Sequence, residues 1–333
     1  MKQLATYPRE KTRLDVHANS CLSESPFLPE NETAYRLWRE RKLESLRSVN
    51  PPGVIPVTNL RRLSAHELGS LALQVQTFNF ALFEFDGPDE HWHQDDLAAF
   101  GRQLGLHRID CYPGQESNGI TALSAVDASD PRAHYVPYSA RALNWHTDGY
   151  YNDANSLIGA FTLYCHKQAS EGGDNFVLDH EMLYLQIRDA APDLLLALMD
   201  PQMMHIPANI RDGRVIRPAQ SGAVFIIDAD TGALRMRYSA RPRHIEWKSD
   251  ALSRRALEFM RELINDNEYV FRFKLQNGQG LVCNNLLHGR TAFNDDSNTP
   301  DSRLYYRARY YDSLAIPGGL TLDVKPQPDS GAQ

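Results

Sequence analysis

The sequence predicts an α+β fold with a mainly β core and helices around it. Helical patterns dominate the part before residue 110, short β-like runs take over from Gly119, and only two long helical stretches interrupt those runs. No regular βαβ alternation and no GxGxxG loop occurs, which argues against a doubly wound parallel sheet. The β-rich part reads as a sandwich or jelly-roll core. A single domain is expected over 1–333. It comprises an irregular segment 1–30, a helical part 31–110, a core 119–312 with helical inserts, and a flexible Gly/Pro/Asp/Gln-rich tail 317–333.

Taken in order, residues 32–49 read as a helix with Asn31 as N-cap and an apolar side of Leu37, Leu43 and Leu46, ended by Pro51 and Pro52. Ser64 and Glu67 have capping-box spacing and open a helix reaching about residue 76. Alternating aromatics make 78–85 a strand, and 95–104 reads as a helix. Strands are expected at 120–126, 158–164, 175–178 and 224–227. A turn at 228–232 leads to a strand at 234–238, and a turn at 277–280 leads to one at 281–285. The helical inserts are 181–195, continuing to 199, and 249–265, with Leu252, Ala256, Phe259, Met260 and Leu263 near the helical period.

Composition narrows the function classes. The chain has 333 residues, 42% hydrophobic and 23% charged, which is ordinary globular usage and enough for a core without disulfide staples. A net charge of −7 and no basic stretch argue against a nucleic-acid partner. Cys21, Cys111, Cys165 and Cys283 are scattered without a CxxC pair, so neither a disulfide framework nor a zinc ribbon is expected. The N-terminal residues lack an apolar signal-like region, and no apolar run approaches ~18 residues. The expectation is a cytoplasmic protein with a small-molecule partner and no membrane partner; whether it forms a homo-oligomer stays open.

The chemistry centres on Asn144-Trp145-His146-Thr147-Asp148-Gly149-Tyr150. In an extended chain the period of two puts His146 and Asp148 on one face. An imidazole and a carboxylate projecting together supply two of the three ligands of a facial triad, whose opposite face stays open for cosubstrate and dioxygen. His288, which follows the strand-like run from Leu281 and precedes Gly289, is the best third ligand. The HxD pair alone is equally compatible with a core or surface histidine. His91 and His93 have metal-like spacing but sit in a polar approach to a helix. His66, His134, His166, His180 and His205 lack carboxylates at useful spacing.

Four blocks extend the pattern: Trp145-His146-Thr147-Asp148; Gly172-Gly173-Asp174-Asn175; Asn284-Asn285-Leu286-Leu287-His288-Gly289-Arg290-Thr291-Ala292-Phe293; and Ser302-Arg303-Leu304-Tyr305-Tyr306-Arg307. In order and spacing, over roughly residues 120–312, they resemble the taurine dioxygenase family of 2-oxoglutarate oxygenases. The resemblance implies a distorted double-stranded β-helix with flanking helices. It implies iron held by His146, Asp148 and His288, and the distal carboxylate of 2-oxoglutarate on Arg303, whose planar fork pairs bidentately with a carboxylate. Asn175 stands where the family often has a Thr that contacts 2-oxoglutarate, and its amide can still donate. Arg307 matches the arginine that reaches the substrate's anionic group in taurine dioxygenase; a structural salt bridge is its other reading. Arg309 shares its strand parity, and Arg290 neighbours the metal loop. The stretch from His288 to Arg303 is about four residues longer than the resemblance leads one to expect, an insertion that a polar surface loop absorbs at small entropic cost.

The implied reaction uses Fe(II), 2-oxoglutarate and O2. It couples release of succinate and CO2 to hydroxylation or desaturation of a C–H bond in a small, anionic molecule. An Asp at position 148 argues against halogenation, because related halogenases carry a small residue there. Tyr150, Tyr151 and Asn152 directly follow the metal block as candidate pocket residues, and 235–241 is a further candidate wall; simple packing is the other reading of the tyrosines. The rivals are an iron oxidase on the same fold that needs no 2-oxoglutarate, a non-catalytic small-molecule binder, and a zinc hydrolase. The last is disfavoured because no HExxH motif is present.

Overall fold

The computed structural model describes residues 22–85, 93–111, 119–127, 129–211, 213–241, 245–294 and 302–315. The expected tail 317–333, most of the irregular segment 1–30, His91, Cys21 and nearly all of the polar loop before Ser302 lie outside the described residues. The fold is α+β and mostly sheet, as expected.

The described residues form helices α1 (Glu32–Ser48), α2 (Ala65–Phe78), α3 (Gln94–Gln103), α4 (His180–Ala190), α5 (Pro192–Leu198) and α6 (Ala251–Asn265). The predicted cap of α1 is not made. Asn31 occupies the N-cap position, but its side chain donates backwards to the carbonyls of Ser23 and Ser25. The apolar side is also misread. Tyr35 and Lys42 are the buried positions, Trp38 packs between them, and Leu37 is 52% exposed. Lys42 escapes a hydrophobicity reading because its ammonium is buried against Asp179 and Glu181. The capping box at Ser64 and Glu67 forms as predicted. The predicted helix across 181–199 is broken at Ala191, because Pro192 lacks an N–H and disfavours helical geometry in the residue before it. In α6 the buried face is Ser253, Ala256, Leu257, Met260 and Ile264, one step round from the predicted stripe, which leaves Leu252 44% exposed.

Two sheets position the site. The first joins β1 (Val54–Val57), β2 (Phe80–Phe85), β3 (Ile120–Leu123), β5 (Ala160–Lys167), β8 (Gln279–Cys283) and β10 (Leu304–Tyr310) in the order β1-β2-β8-β5-β10-β3. The second joins β4 (Leu143–His146), β6 (Asn175–Leu178), β7 (Phe271–Phe273) and β9 (Leu287–Arg290) in the order β7-β6-β9-β4. Strand parity sorts the first sheet's side chains. Ala81, Phe83, Tyr164, Val282, Tyr306, Ala308 and Tyr310 pack with α2 and α3. Phe80, Leu82, Phe161, Cys165, Leu281, Cys283 and Tyr305 form the other layer, together with Val177 of the second sheet. Two predicted strands are offset. Residues 158–164 become Ala160–Lys167, and 281–285 becomes β8, which ends at Cys283 before the chain bends and re-enters as β9.

A third cluster packs α4, α5 and α6 around Val224, Phe225, Leu234 and Met236. Between α5 and α6 the chain forms short strands at Met204–Ile206, Asn209–Arg211, Arg214–Arg217, Gln220–Gly222, Phe225–Ile227, Leu234–Met236 and Glu246–Trp247. Among the described residues no helix is long and apolar enough to cross a membrane.

Candidate metal centre

β4 and β9 pair antiparallel with His146 opposite His288. The histidine thus lies within β9 rather than closing the run from Leu281, and the bend at Asn284–Leu286 separates the two strands. The imidazole rings lie 4.2 Å apart, centroid to centroid. β4 stops at His146, so Asp148 is not a strand residue and opens a turn instead. It still converges: its carboxylate Oδ1 is 3.9 Å from His146 Nε2. One ligand atom from each of His146, Asp148 and His288 falls within 4.8 Å of the others, and no other such group occurs among the described residues.

Tautomer and charge suit a divalent cation. His146 Nδ1 lies 2.8 Å from the carbonyl of Asn144, and His288 Nδ1 lies 2.9 Å from that of Leu286. A carbonyl only accepts, so each Nδ1 carries the proton and each Nε2 presents a lone pair. Burial, and then the charge of His288, push His146 down to about 3. Burial likewise pushes His288 down. Both rings are therefore neutral near neutral pH. Burial alone would raise the Asp148 carboxyl, but Arg307 and then Arg309 overcome it and hold it well below the usual carboxylate range. Arg307 Nη1 donates to both Asp148 oxygens at 3.1 Å.

The backbone of Asp148 is fixed by Asn285, whose place in the distal block gives no hint of this role. Its Oδ1 accepts from Asp148 N–H, and its Nδ2 donates to the carbonyls of Asp148 and Ile158. Thr147 is tied to Tyr238 by a reciprocal pair of bonds. Gly149 follows at φ +62, where a side chain would also meet Ile158.

The Gly-Gly-Asp block forms the second wall. Gly172 and Gly173 both have positive φ, and a side chain at Gly172 would collide with Ala292 O. The close approach lets Gly173 N–H donate to Ala292 O and Thr291 N–H to Asp174 O. Arg303 is buried, with its guanidinium 3.8 Å from the Tyr305 ring and 4.9 Å from that of Phe293. Arg290 lies on the same Phe293 ring, and burial and then the Arg303 charge push its pKa down. Its Nη2 donates to the carbonyls of Ser139 and Arg141, while its Nη1 is buried without a hydrogen-bond partner. Asn175 Nδ2 is likewise buried and unpartnered. Two buried guanidiniums, with Arg290 Nη1 and the Asn175 amide still holding donors to give, fit a carboxylate ligand.

The remaining predicted residues are brought to the same region with different engagements. Tyr305, Arg307 and Arg309 share the odd parity of β10, which Arg303 immediately precedes; Arg307 is committed to Asp148, although its Nε has no hydrogen-bond partner. Arg309 pairs with Asp110 and donates to Tyr151 Oη. Tyr150 and Tyr151 meet edge to face at 5.3 Å and, with Trp247, pack on the cluster of Met204, Ile206 and Ile245. Asn152 uses its amide within its own turn, donating to Ser156 O. Arg237, fully buried, donates to the carbonyls of Tyr150 and Asn152 and pins that turn. Of the other histidines, His180 bonds Leu234 O, His205 bonds Ser221 Oγ, His166 lies against the Tyr306 ring, and His66 and His93 are exposed.

The family model described as Taurine catabolism dioxygenase TauD, TfdA family matches residues 43–309. A uridine-5'-phosphate dioxygenase from an Amycolatopsis species is 32% identical over 190 residues, covering 55% of this chain and 66% of the relative. A uridine-5'-phosphate dioxygenase from a Streptomyces species is 30% identical over 214 residues, covering 62% and 75%. The match thus spans just under two thirds of the first relative's length. The fold resembles that of the non-heme iron oxygenase OrfP in complex with Fe, succinate and (3S)-hydroxy-L-Arg, with a TM-score of 0.55, 15% identity, and coverage of 75% of this chain and 81% of that one.

Proposed function

The chain belongs to the TauD, TfdA family, and from that premise we propose that His146, Asp148 and His288 hold iron and that Arg303 and Asn175 hold 2-oxoglutarate. It is an iron(II)- and 2-oxoglutarate-dependent dioxygenase, with Fe(II), 2-oxoglutarate and O2 as its cofactor and cosubstrates. In this reading it hydroxylates or desaturates a C–H bond of a small anionic molecule, releasing succinate and CO2. The names of its two relatives point to a nucleoside phosphate as that molecule. The two sheets are the halves of a distorted double-stranded β-helix, a jelly roll, within a single cytoplasmic domain.

The observation that carries this reading is the triad itself: two neutral imidazoles with free Nε2 atoms and one ionised carboxylate, gathered within 4.8 Å. When bound, iron with its cosubstrates supplies the oxidising power. The chain's own residues prepare the site. Asn144 and Leu286 fix the ring tautomers. Arg307 orients the carboxylate and compensates its burial. Phe161, 4.6 Å from the His288 ring, covers the apolar side and excludes water. Arg307 Nε keeps a donor for a substrate anion, its role in the resemblance. The Arg290–Arg303 pair favours this reading over an oxidase without 2-oxoglutarate, which has no use for a second carboxylate site. The test is succinate release from 2-oxoglutarate under air with uridine 5'-phosphate. Release that depends on the nucleotide supports the substrate class; release unaffected by any phosphorylated nucleoside contradicts it.

A further inference from the structure

Lys42 is a buried charge that the proposed chemistry does not use. It is 5% exposed, and its ammonium lies 2.6 Å from the Asp179 carboxylate and 2.8 Å from that of Glu181. A buried cation is costly unless its partners are well placed, so what this one holds is informative. Asp179 caps α4, and the Oδ1 that accepts from Glu181 N–H also accepts from Asn79 Nδ2 at 2.8 Å. Asn79 ends α2 at φ +62 and is the one non-glycine residue with positive φ among the described residues. Its backbone carbonyl accepts from Asn284 N–H, and its Oδ1 accepts from the Asn284 amide, each at 3.0 Å. Asn284 Oδ1 in turn accepts from Leu314 N–H. Side-chain links thus run from α1, through the start of α4 and the end of α2, to the bend between β8 and β9.

That bend carries two contacts of the metal centre. Asn285 holds the Asp148 backbone, and the Leu286 carbonyl fixes the His288 tautomer. Asn284, their neighbour, bonds to Asn79 and Leu314 instead. Resting on the reading of an iron site, we infer that Lys42, Asp179, Asn79 and Asn284 form an outer brace that positions the bend and, through it, Asp148 and His288. They are positioning residues, acting on the triad through Asn285 and Leu286. A shift of the bend moves the Asn285 amide and the Leu286 carbonyl together, and outer partners of this kind set metal affinity.

Asn79→Gly keeps the left-handed backbone and its carbonyl while removing the side-chain links to Asp179 and Asn284. Asn284→Asp keeps the acceptor for Leu314 and removes the amide donor. The full-length, iron-free protein is titrated with Fe(II) by anaerobic calorimetry, and the iron-saturated protein is then titrated with 2-oxoglutarate by visible absorption. Each variant should bind Fe(II) about five- to tenfold more weakly, a smaller loss than at a residue that bonds a ligand directly. The 2-oxoglutarate needed for half-saturation should stay unchanged, because Arg303 and Asn175 lie on the other wall. Asn79→Gly combined with Asn285→Ala should cost less affinity than the two single losses multiplied, since the brace acts partly through Asn285. Ile264→Val, in the α6 core, is the stability control: it should lower Tm and leave Fe(II) affinity at the wild-type value. Wild-type Fe(II) affinity in both brace variants, fully multiplicative losses, or a loss shared equally by 2-oxoglutarate overturns the brace and leaves the iron reading intact. No Fe(II) binding by the wild type overturns both.

Discussion

Two parts of the molecule meet at Tyr150. On one side β4 and β9 hold His146 and His288 opposite each other, and Asn285 and Thr147 tie the intervening turn with buried hydrogen bonds. On the other side residues 203–247 fold into strands of two to four residues, and the hairpin of Asn209–Arg211 and Arg214–Arg217 leaves Ile210, Val215 and Ile216 about 60% exposed. In the first part the ligand rings and the Asp148 backbone are fixed by hydrogen bonds. The second is divided: Val224, Phe225, Leu234 and Met236 join the helical core, while the part beside the tyrosines rests on the small cluster of Met204, Ile206 and Ile245, pinned by Arg237. A site built this way holds its reactive geometry on paired strands and leaves recognition to a wall that can vary without disturbing it.

The contrast breaks most sharply at Asp148. Asp148→Ala should abolish turnover and also destabilise the metal-free fold by about 3–5 kcal/mol, because Arg307 is left buried without its partner. Adding Arg307→Met should recover stability in denaturant titrations but not activity. Asn285→Ala should cost less: about 1–3 kcal/mol for the buried groups it leaves unpaired, with iron affinity down roughly 10–100-fold. If Asn285→Ala matches wild type in both, the cradle does not depend on its hydrogen bonds.

A change of pH probes the same cradle without mutation. His146 stands at about 3 in the fold against an ordinary 6.5. The unfolded chain therefore binds a proton there that the metal-free fold does not. The stability tied to neutral His146 is complete above pH 6.5 and is lost as pH falls toward 3. Tm of the metal-free protein should decline through that window, and His146→Gln should flatten the decline. The smallest effect belongs to the wall: Ile216→Ser, at an exposed position, should change stability by no more than about 0.5 kcal/mol. A large loss there would mean that the hairpin is packed against something in solution.

The two parts also differ in how far their sequence can be read. His146, Asp148 and His288 are visible because ligand chemistry restricts residue type and because the Gly-Gly-Asp and distal blocks that pair with each other are each contiguous. Strands such as 175–178 are visible because apolar residues bounded by turn residues leave few choices. The buried faces of α1 and α6 are misread because burial follows partners: Lys42 is interior owing to Asp179 and Glu181, and Leu37 is outside although apolar. The roles of Asn285 and Thr147 are set by contacts across more than ninety residues of chain, which no local pattern encodes. Arg217 sits in a hairpin whose sequence carries no motif, and only the folded structure brings it over the Tyr151 ring.

The central claim is that the triad holds iron while Arg303 anchors 2-oxoglutarate beside it. Anaerobic titration of the protein with Fe(II) and then 2-oxoglutarate, followed by visible absorption, tests it most directly. A weak charge-transfer band should develop on adding 2-oxoglutarate to the iron-loaded wild type, and Arg303→Ala should need roughly a hundredfold more 2-oxoglutarate to reach it, as expected when one partner of a buried charge pair is truncated. Iron bound at one equivalent with no band at saturating 2-oxoglutarate would contradict the claim.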